Sequence, residues 1–572
     1  MQDVNDKQTW GPFFNLLTKS KLPWKWYVLH LIGGIFLATL NVKLPQLTGE
    51  IMQGNIFDAN LVTQYITVFV LYTISNIALS IFGSWINLNV DRNIQKLVLK
   101  KFVRLPIPFF NKLNPSSLTS RITSDATTVS LSIQLLFSLI NVTYTLALTL
   151  IIVNSINNKM LIAMAFLIPW VIIVSVLPGR VMFNATNYLQ TTYSMFTNFV
   201  SERLLNLRLI KSSGSEEIEA NKGYEVGEKQ YKSEVYLAKV NFVVQPFIYS
   251  TQAICQIIVI VYGGVLVGKG ELEMGQLITL FMYSQMIPAM ANQYIICFQQ
   301  IKKAQGATKK ISEIVKIESE KFERKISFAL PDDDINFKNV SFSYDGKKVL
   351  NNLNFIIPKR KITAIVGPSG SGKTTILNIL EQFYDLNSGK ITFGKVPIQD
   401  IHLDEWRNAF GYVQQNSPLL SGTIRDNIVY GLNREVKDEE VIRAAKLANI
   451  YDVIKELPDG LNTFIEDVEN KLSGGEKQRI AIARTIIKNP DYLLLDEATC
   501  NLDAKNEYEV QSAINNLMKE KTTIVVAHNI KTITNADNII VIDNGEIKGT
   551  GKHETLYNEN PLYRKYFDLQ FN

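Results

Sequence analysis

The chain has 572 residues, room for two to four domains. Its net charge of +6, from 59 basic and 53 acidic residues, is small for that length and argues against a nucleic-acid partner. Cys255, Cys297 and Cys500 share no spacing, which excludes a disulfide framework or a zinc cluster.

In chain order, the first twenty residues lack the apolar core of a signal peptide, so no cleaved leader is expected. The stretch WGPFFNLLTKSKLPWKW then mixes Trp, Phe and Lys, as a helix lying in a membrane interface does. Six apolar runs follow, near 27–47, 62–84, 131–154, 159–179, 246–268 and 275–298, each close to the roughly 20 residues that cross a bilayer. A single such run reads equally as a buried core helix. Six in one half of a chain predict a helical transmembrane domain over 1–315.

Basic residues give an orientation. The long segments after the second and fourth runs carry Arg92, Lys96, Lys100, Lys101 and Arg104, and Arg180, Arg203, Arg208, Lys211 and Lys222. The short loops after the first, third and fifth carry only Lys43, Lys159 and Lys269. Both termini and both long segments are therefore expected on the cytoplasmic side. Apolar residues at helical spacing, as in IQKLVLKKFVRL, predict that the long segments extend the flanking helices. Each should turn at a short exposed helix, near 114–120 and 206–214.

A charged linker over 316–333 leads to a second domain, 334–572, where strand and helix patterns alternate as in an α/β fold. GPSGSGKTT, residues 367–375, follows the apolar strand ITAIV and opens a helix, the context a phosphate loop requires. Gly367, Ser369, Gly370, Ser371 and Gly372 let backbone N–H groups wrap phosphates. Lys373 reaches the β and γ phosphates, and Thr374, followed by Thr375, offers a hydroxyl to Mg²⁺. DYLLLDEAT is a buried strand ending in two acids: Asp496 for the Mg²⁺ shell, Glu497 to activate water. TTIVVAH ends in His528, YVQQ offers the Gln415 amide, and Tyr344 precedes the phosphate loop, where its ring could stack on adenine. KLSGGEKQRIAIAR places Ser473, Gly474, Gly475 and Glu476 at the start of a helix, whose N-terminus favours an anion. A second phosphate cradle a hundred residues after the first raises the question of whose phosphate it holds.

The order Tyr344, GPSGSGKT, Gln415, LSGGEKQR, LLLDEAT, NLD, His528 resembles the ATP-binding-cassette transporters over nearly the whole chain. Six spans with two long cytoplasmic loops ahead of one cassette resemble the exporter type, in half-transporter form. The resemblance implies an ATPase that moves a small molecule, peptide or lipid out of the cytoplasm by alternating access, as a dimer in the cell membrane, expected to be a bacterial plasma membrane. It also implies two ATP molecules sandwiched head to tail, with Ser473 and Gly475 on the partner's nucleotide. Tyr344 would stack on adenine, and Gln415, with Thr374 and Asp496, would contact Mg²⁺. Glu497 would be the base, Asp503 the D-loop acid and His528 the switch histidine. The two exposed turns would be coupling helices.

Three segments depart from the family pattern. VGERG is replaced by IEDVEN, which puts Asp467 and Glu469 at its glutamate and second glycine. SALD reads CNLD, and the Arg after the switch histidine is Asn529. None of these removes a group that hydrolysis needs. Since Glu497 and His528 are both kept, a homodimer is favoured over half of a heterodimer. Gln252, Gln256, Gln285, Asn292, Gln293 and Gln299 give the last two spans amides but no acid or base, which favours a neutral, amphiphilic or peptide-like cargo over a small ion; the same amides could instead bond between helices. A lipid flippase remains the alternative. The helical extensions argue against a soluble cassette on a membrane anchor, the fusion against an importer, and Glu497 against an ATP-gated channel.

Overall fold

The computed structural model describes residues 11, 18, 22–54, 58–111, 115–320, 333–414, 417–468, 472–496, 504–526 and 533–571. The chain divides into two compact units, Met1–Val103 with Asn114–Glu318, and Arg104–Leu113 with Ser319–Asn572. Most of the expected interfacial helix lies outside the described residues.

The first unit is helical. Its main elements are α1 (Trp24–Gln53), α2 (Ala59–Val103), and then, beyond α3 (Ile107–Phe110), α4 (Pro115–Ser120) and α5 (Ala126–Ile156). There follow α6 (Asn158–Ala165), α7 (Ile168–Leu205), α8 (Leu207–Ser212), α9 (Glu216–Gly268) and α10 (Met274–Lys316). Among the described residues, four helical stretches are long and apolar enough to cross a membrane: Trp24–Gln53, Ala59–Val103, Leu118–Ile156 and Glu216–Gly268. The fourth expected run is divided between α6 and α7, where Pro169 stands in the first turn of the new helix. The sixth falls within α10, whose amides lower its apolar character.

α2 and α9 have 45 and 53 residues, more than twice what a bilayer needs, so the long segments do continue as helix. Glycines let α1 and α10 approach closely: a Cβ on Gly49 would collide with the Gly275 carbonyl, and the reverse also holds. Thr279 and Tyr283 of α10 then donate to the carbonyls of Pro45 and Val42 of α1, at 3.1 and 2.7 Å.

The two expected turns fare differently. α8, with Gly214 at φ +57° after it, occupies 206–214. At 114–120 the short helix is α4, from Pro115, and it runs on through a π-helical turn, Arg121–Asp125, into α5. Thr123 and Thr127 bond back to carbonyls four residues earlier along that continuation. The segment that leaves the helical unit lies earlier, at Arg104–Leu113, around α3.

The second unit holds two sheets. The antiparallel one has the order β2-β1-β4-β5, built from Ile335–Tyr344 (β1), Lys347–Ile357 (β2), Ser388–Phe393 (β4) and Val396–Pro397 (β5). The other has the order β10-β9-β3-β8-β7-β6. Its strands are Ile362–Val366 (β3), Phe410–Val413 (β6), Tyr492–Asp496 (β7), Thr522–Val526 (β8), Asn538–Asp543 (β9) and Glu546–Gly551 (β10). β9, β3, β8, β7 and β6 are all parallel. Such strands are covered on both faces and alternate between two cores. Ala364, Val366, Leu493, Leu495 and Val525 pack in one, and Ile365, Leu494, Ile524 and Val526 in the other.

Candidate nucleotide site

In an open parallel sheet, ligands bind beyond the carboxyl ends of the strands. β3, β8, β7 and β6 lie side by side and point the same way, so Val366, Val526, Asp496 and Val413 end at one edge. The phosphate loop leaves β3 there. Glu497, His528 and Gln415 follow the ends of β7, β8 and β6 by one or two residues in the chain; with Asp503 they lie outside the described residues.

The loop turns into helix α11 (Lys373–Leu380) through Gly370 and Gly372, at φ +81° and +103°. That left-handed backbone suits glycine and leaves the first N–H groups of α11 aimed outward. Gly367 also packs where any side chain would strike the Ile542 carbonyl. The buried Lys373 ammonium donates to the carbonyls of Gly367 and Pro368 at 2.9 and 3.0 Å, folding back over the loop. Ser371 and Thr375 are buried beside it, and the Ser371 hydroxyl has no protein partner, an orphan a phosphate oxygen would satisfy. Ser369 and Thr374 are exposed.

Thr374 Oγ1 donates to Asp496 Oδ1 at 3.4 Å. Neighbouring ligands of an octahedral Mg²⁺ stand about 3 Å apart, so this pair fits two of its corners. Among the described residues no group of three or more His, Cys, Asp or Glu is placed to hold a metal ion, so an Mg²⁺ at Thr374 and Asp496 would take most of its remaining positions from phosphates and water. Tyr412 Oη donates to Asp496 Oδ2 at 3.4 Å, and burial beside that carboxylate pushes its phenol up. No sequence signal marked Tyr412.

Tyr344, at the end of β1, meets Phe342 and Tyr384 edge-on, at 4.7 and 5.0 Å between ring centres. Asn111, from the Arg104–Leu113 segment, donates to Tyr384 Oη at 2.9 Å. That segment is therefore one ring away from the candidate adenine contact, a link between residues 273 apart in sequence.

The signature forms helix α12 (Gly474–Lys488) with Ser473 as N-cap. The Ser473 hydroxyl accepts from Glu476 N–H at 3.3 Å, and the Glu476 carboxylate accepts from Ser473 N–H at 2.7 Å. This S-x-x-E capping box was readable in the sequence and places a carboxylate at the helix start. Ser473 and Gly474 are exposed and Gly475 is buried. Behind them the buried Arg479 pairs with Glu509.

Comparison with known proteins bears on these two units directly. A family model described as "ABC transporter transmembrane region" matches residues 27–290, and one described as "ABC transporter" matches 350–500. A multidrug resistance ABC transporter ATP-binding and permease protein of Lactococcus lactis subsp. cremoris is 31% identical over 577 residues, 99% of this chain and 96% of that protein. The chain belongs to the ATP-binding-cassette transporters. An ATP-dependent lipid A-core flippase of Vibrio vulnificus is likewise 31% identical, over 581 residues and 99% of both chains. The same flippase of Haemophilus influenzae is 31% identical over 497 residues, 86% of this chain and 84% of that protein. This ABC transporter is thus a fused exporter: a helical membrane region joined to an α/β ATP-binding domain, coupling ATPase activity to transport.

Proposed function

We propose that two copies of this exporter work together, each supplying half of two ATP sites, and move a neutral amphiphilic, drug-like or peptide cargo out of the cytoplasm. The observation that carries the ATP site is the meeting of Thr374 and Asp496 at 3.4 Å beside the phosphate loop. ATP supplies the phosphoryl bond whose hydrolysis drives transport, and Mg²⁺ neutralises its charge. Lys373 and the loop N–H groups hold the phosphates, while Thr374, Asp496 and Gln415 hold the metal. Glu497 takes the proton of the attacking water, His528 and Asp503 position the γ-phosphate end, and Tyr344 covers the base. Ser473, Gly474, Gly475 and Glu476 face the nucleotide of the other copy, which the exposure of Ser473 and Gly474 supports.

The cargo reading rests on α10. Gln285, Asn292 and Gln299 are exposed and seven residues apart, on one face with the exposed Ala289 and Ile296. Among the described residues none of the span amides bonds to a neighbouring helix; Gln293 donates only to Cys297 of its own helix. Amides facing hydrocarbon are costly, so this stripe suits a wet pathway. A lipid cargo is the second reading, favoured by the full-length match to lipid A-core flippases. In proteoliposomes, ATPase stimulation by neutral dyes or hydrophobic peptides supports the first reading. Stimulation by lipid alone supports the second, and stimulation by small ions alone defeats both.

The cytoplasmic placement of the termini and long segments is tested with single cysteines in a chain lacking Cys255, Cys297 and Cys500. Asp58→Cys should react with an impermeant maleimide added to intact cells, and Ser213→Cys only after lysis; both positions are exposed in the chain itself. The reverse pattern would overturn the orientation.

A further inference from the structure

The chain passes into the cassette unit at Val103/Arg104 and again at Glu318/Ser319. These two crossings meet, because Glu320 N–H donates to the Arg104 carbonyl at 2.9 Å. The Glu320 carboxylate, 11% exposed, accepts both terminal nitrogens of Arg407, at 2.9 and 2.8 Å. A paired fork of this kind is the strong form of an ion bridge, and at this depth water screens it little.

Arg407 lies in the short helix Leu403–Ala409 and has further partners. Its guanidinium donates to the carbonyls of Glu381 and Gln382 at 3.0 and 3.1 Å, and it covers the Phe383 ring. Those carbonyls follow the last turn of α11, where orphan C=O groups and the helix dipole favour a cation. The other end of α11 is Lys373 and Thr374, about 12 Å away along eight residues of helix. The Arg407 carbonyl accepts from the Lys488 ammonium at 3.1 Å. Lys488 is the last residue of α12, whose first turn is the signature. Arg407 therefore touches the far ends of both helices whose near ends carry the phosphate-binding motifs, and it holds the segment through which the chain passes into the cassette. The Glu381 side chain is buried between Arg407 and Lys488, and burial pushes its carboxyl up to about 7 against the pull of both cations.

We propose that Glu320 and Arg407 are a positioning pair that passes nucleotide-driven shifts of α11 and α12 to the two crossing segments, at Arg104 and Glu320. Neither residue touches nucleotide; the pair acts through the helix ends. The inference rests on the proposed nucleotide site, which the measurements below report separately.

Glu320→Gln keeps the shape and loses the charge. Arg407→Lys keeps the charge and loses the fork. Each is made in the full-length chain lacking Cys255, Cys297 and Cys500, with Asn292→Cys as reporter, and reconstituted in liposomes. Four quantities are read: binding of a fluorescent ATP analogue, basal ATPase, thermal stability, and the change in maleimide labelling rate at Asn292→Cys on adding ATP with vanadate. In Glu320→Gln the labelling response should fall by about fivefold or more. Nucleotide affinity and basal ATPase should stay within about twofold, since no group at the phosphates is altered. Arg407→Lys should show the same split, and the double variant should be no worse than either single, as expected when both remove one coupling. An undiminished response in both single variants overturns the coupling role. So does a response that falls only in step with affinity or with thermal stability, which would make the pair structural. A parent chain that binds no ATP analogue overturns the nucleotide-site reading and the coupling role with it.

Discussion

Glu497→Gln is expected to bind ATP as the parent chain does and to lose hydrolysis by about a hundredfold or more. β7 is buried along its whole length and delivers Asp496, 8% exposed, to within hydrogen-bond reach of Thr374. The next residue in the chain is Glu497. A carboxylate there can take the proton of the attacking water; an amide of the same shape can hold the water but cannot take its proton. Phosphate release under saturating MgATP should therefore collapse while equilibrium binding of a fluorescent ATP analogue stays intact. Because the metal and the phosphates keep their own ligands, the variant should also accumulate in its ATP-bound state. Steady-state turnover near that of the parent would remove Glu497 from the role of base and leave His528 as the next group to examine.

Much of this site was legible because its chemistry is local. A phosphate loop needs glycines, a lysine and a hydroxyl within nine residues, and residues 367–375 carry that pattern between a strand and a helix. The pairing of Thr374 with Asp496 was legible at longer range, because parallel strands bring their carboxyl ends to one edge. The short helix expected near 114–120 is there, opened by Pro115 in its first turn, but the sequence did not show that it runs on through a π-helical turn into α5. Two features left no local trace. Glu320 and Arg407 are 87 residues apart, and each looks like one more charge in a charged stretch. The link from Asn111 through Tyr384 to Tyr344 exists only after the chain has folded back on itself. The amides of α10 were visible as residues, yet only the phase of the helix put Gln285, Asn292 and Gln299 on one exposed face.

Two inactive chains should make a partly active pair if the signature serves the other copy's nucleotide. Lys373→Ala removes the ammonium from the phosphate loop. Gly475→Asp puts a side chain and a negative charge into the buried second position of α12, beside the carboxylate that Glu476 already places at the helix start. Each variant alone should be inactive, because every site in its homodimer has one broken half. In a mixed dimer one site carries both lesions and the other carries neither. ATPase activity from purified mixed dimers should then stand well above either parent variant. If each signature acted within its own chain, both sites of the mixed dimer would hold a lesion, and mixing would restore nothing. Loss of rescue also follows if the two sites must fire together, and a crosslink separates that case. Ser369 is exposed in the phosphate loop, so Ser369→Cys and Gly475→Cys, in a chain lacking Cys255, Cys297 and Cys500, can be tested for a bond between copies. A disulfide requires the two Cα atoms to come within about 7 Å. It should form with ATP in the Glu497→Gln background, where the closed state accumulates, and fall away when nucleotide is removed. Rescue together with the crosslink establishes the shared site, the crosslink without rescue establishes it with obligatory joint firing, and the absence of both returns the signature to its own chain.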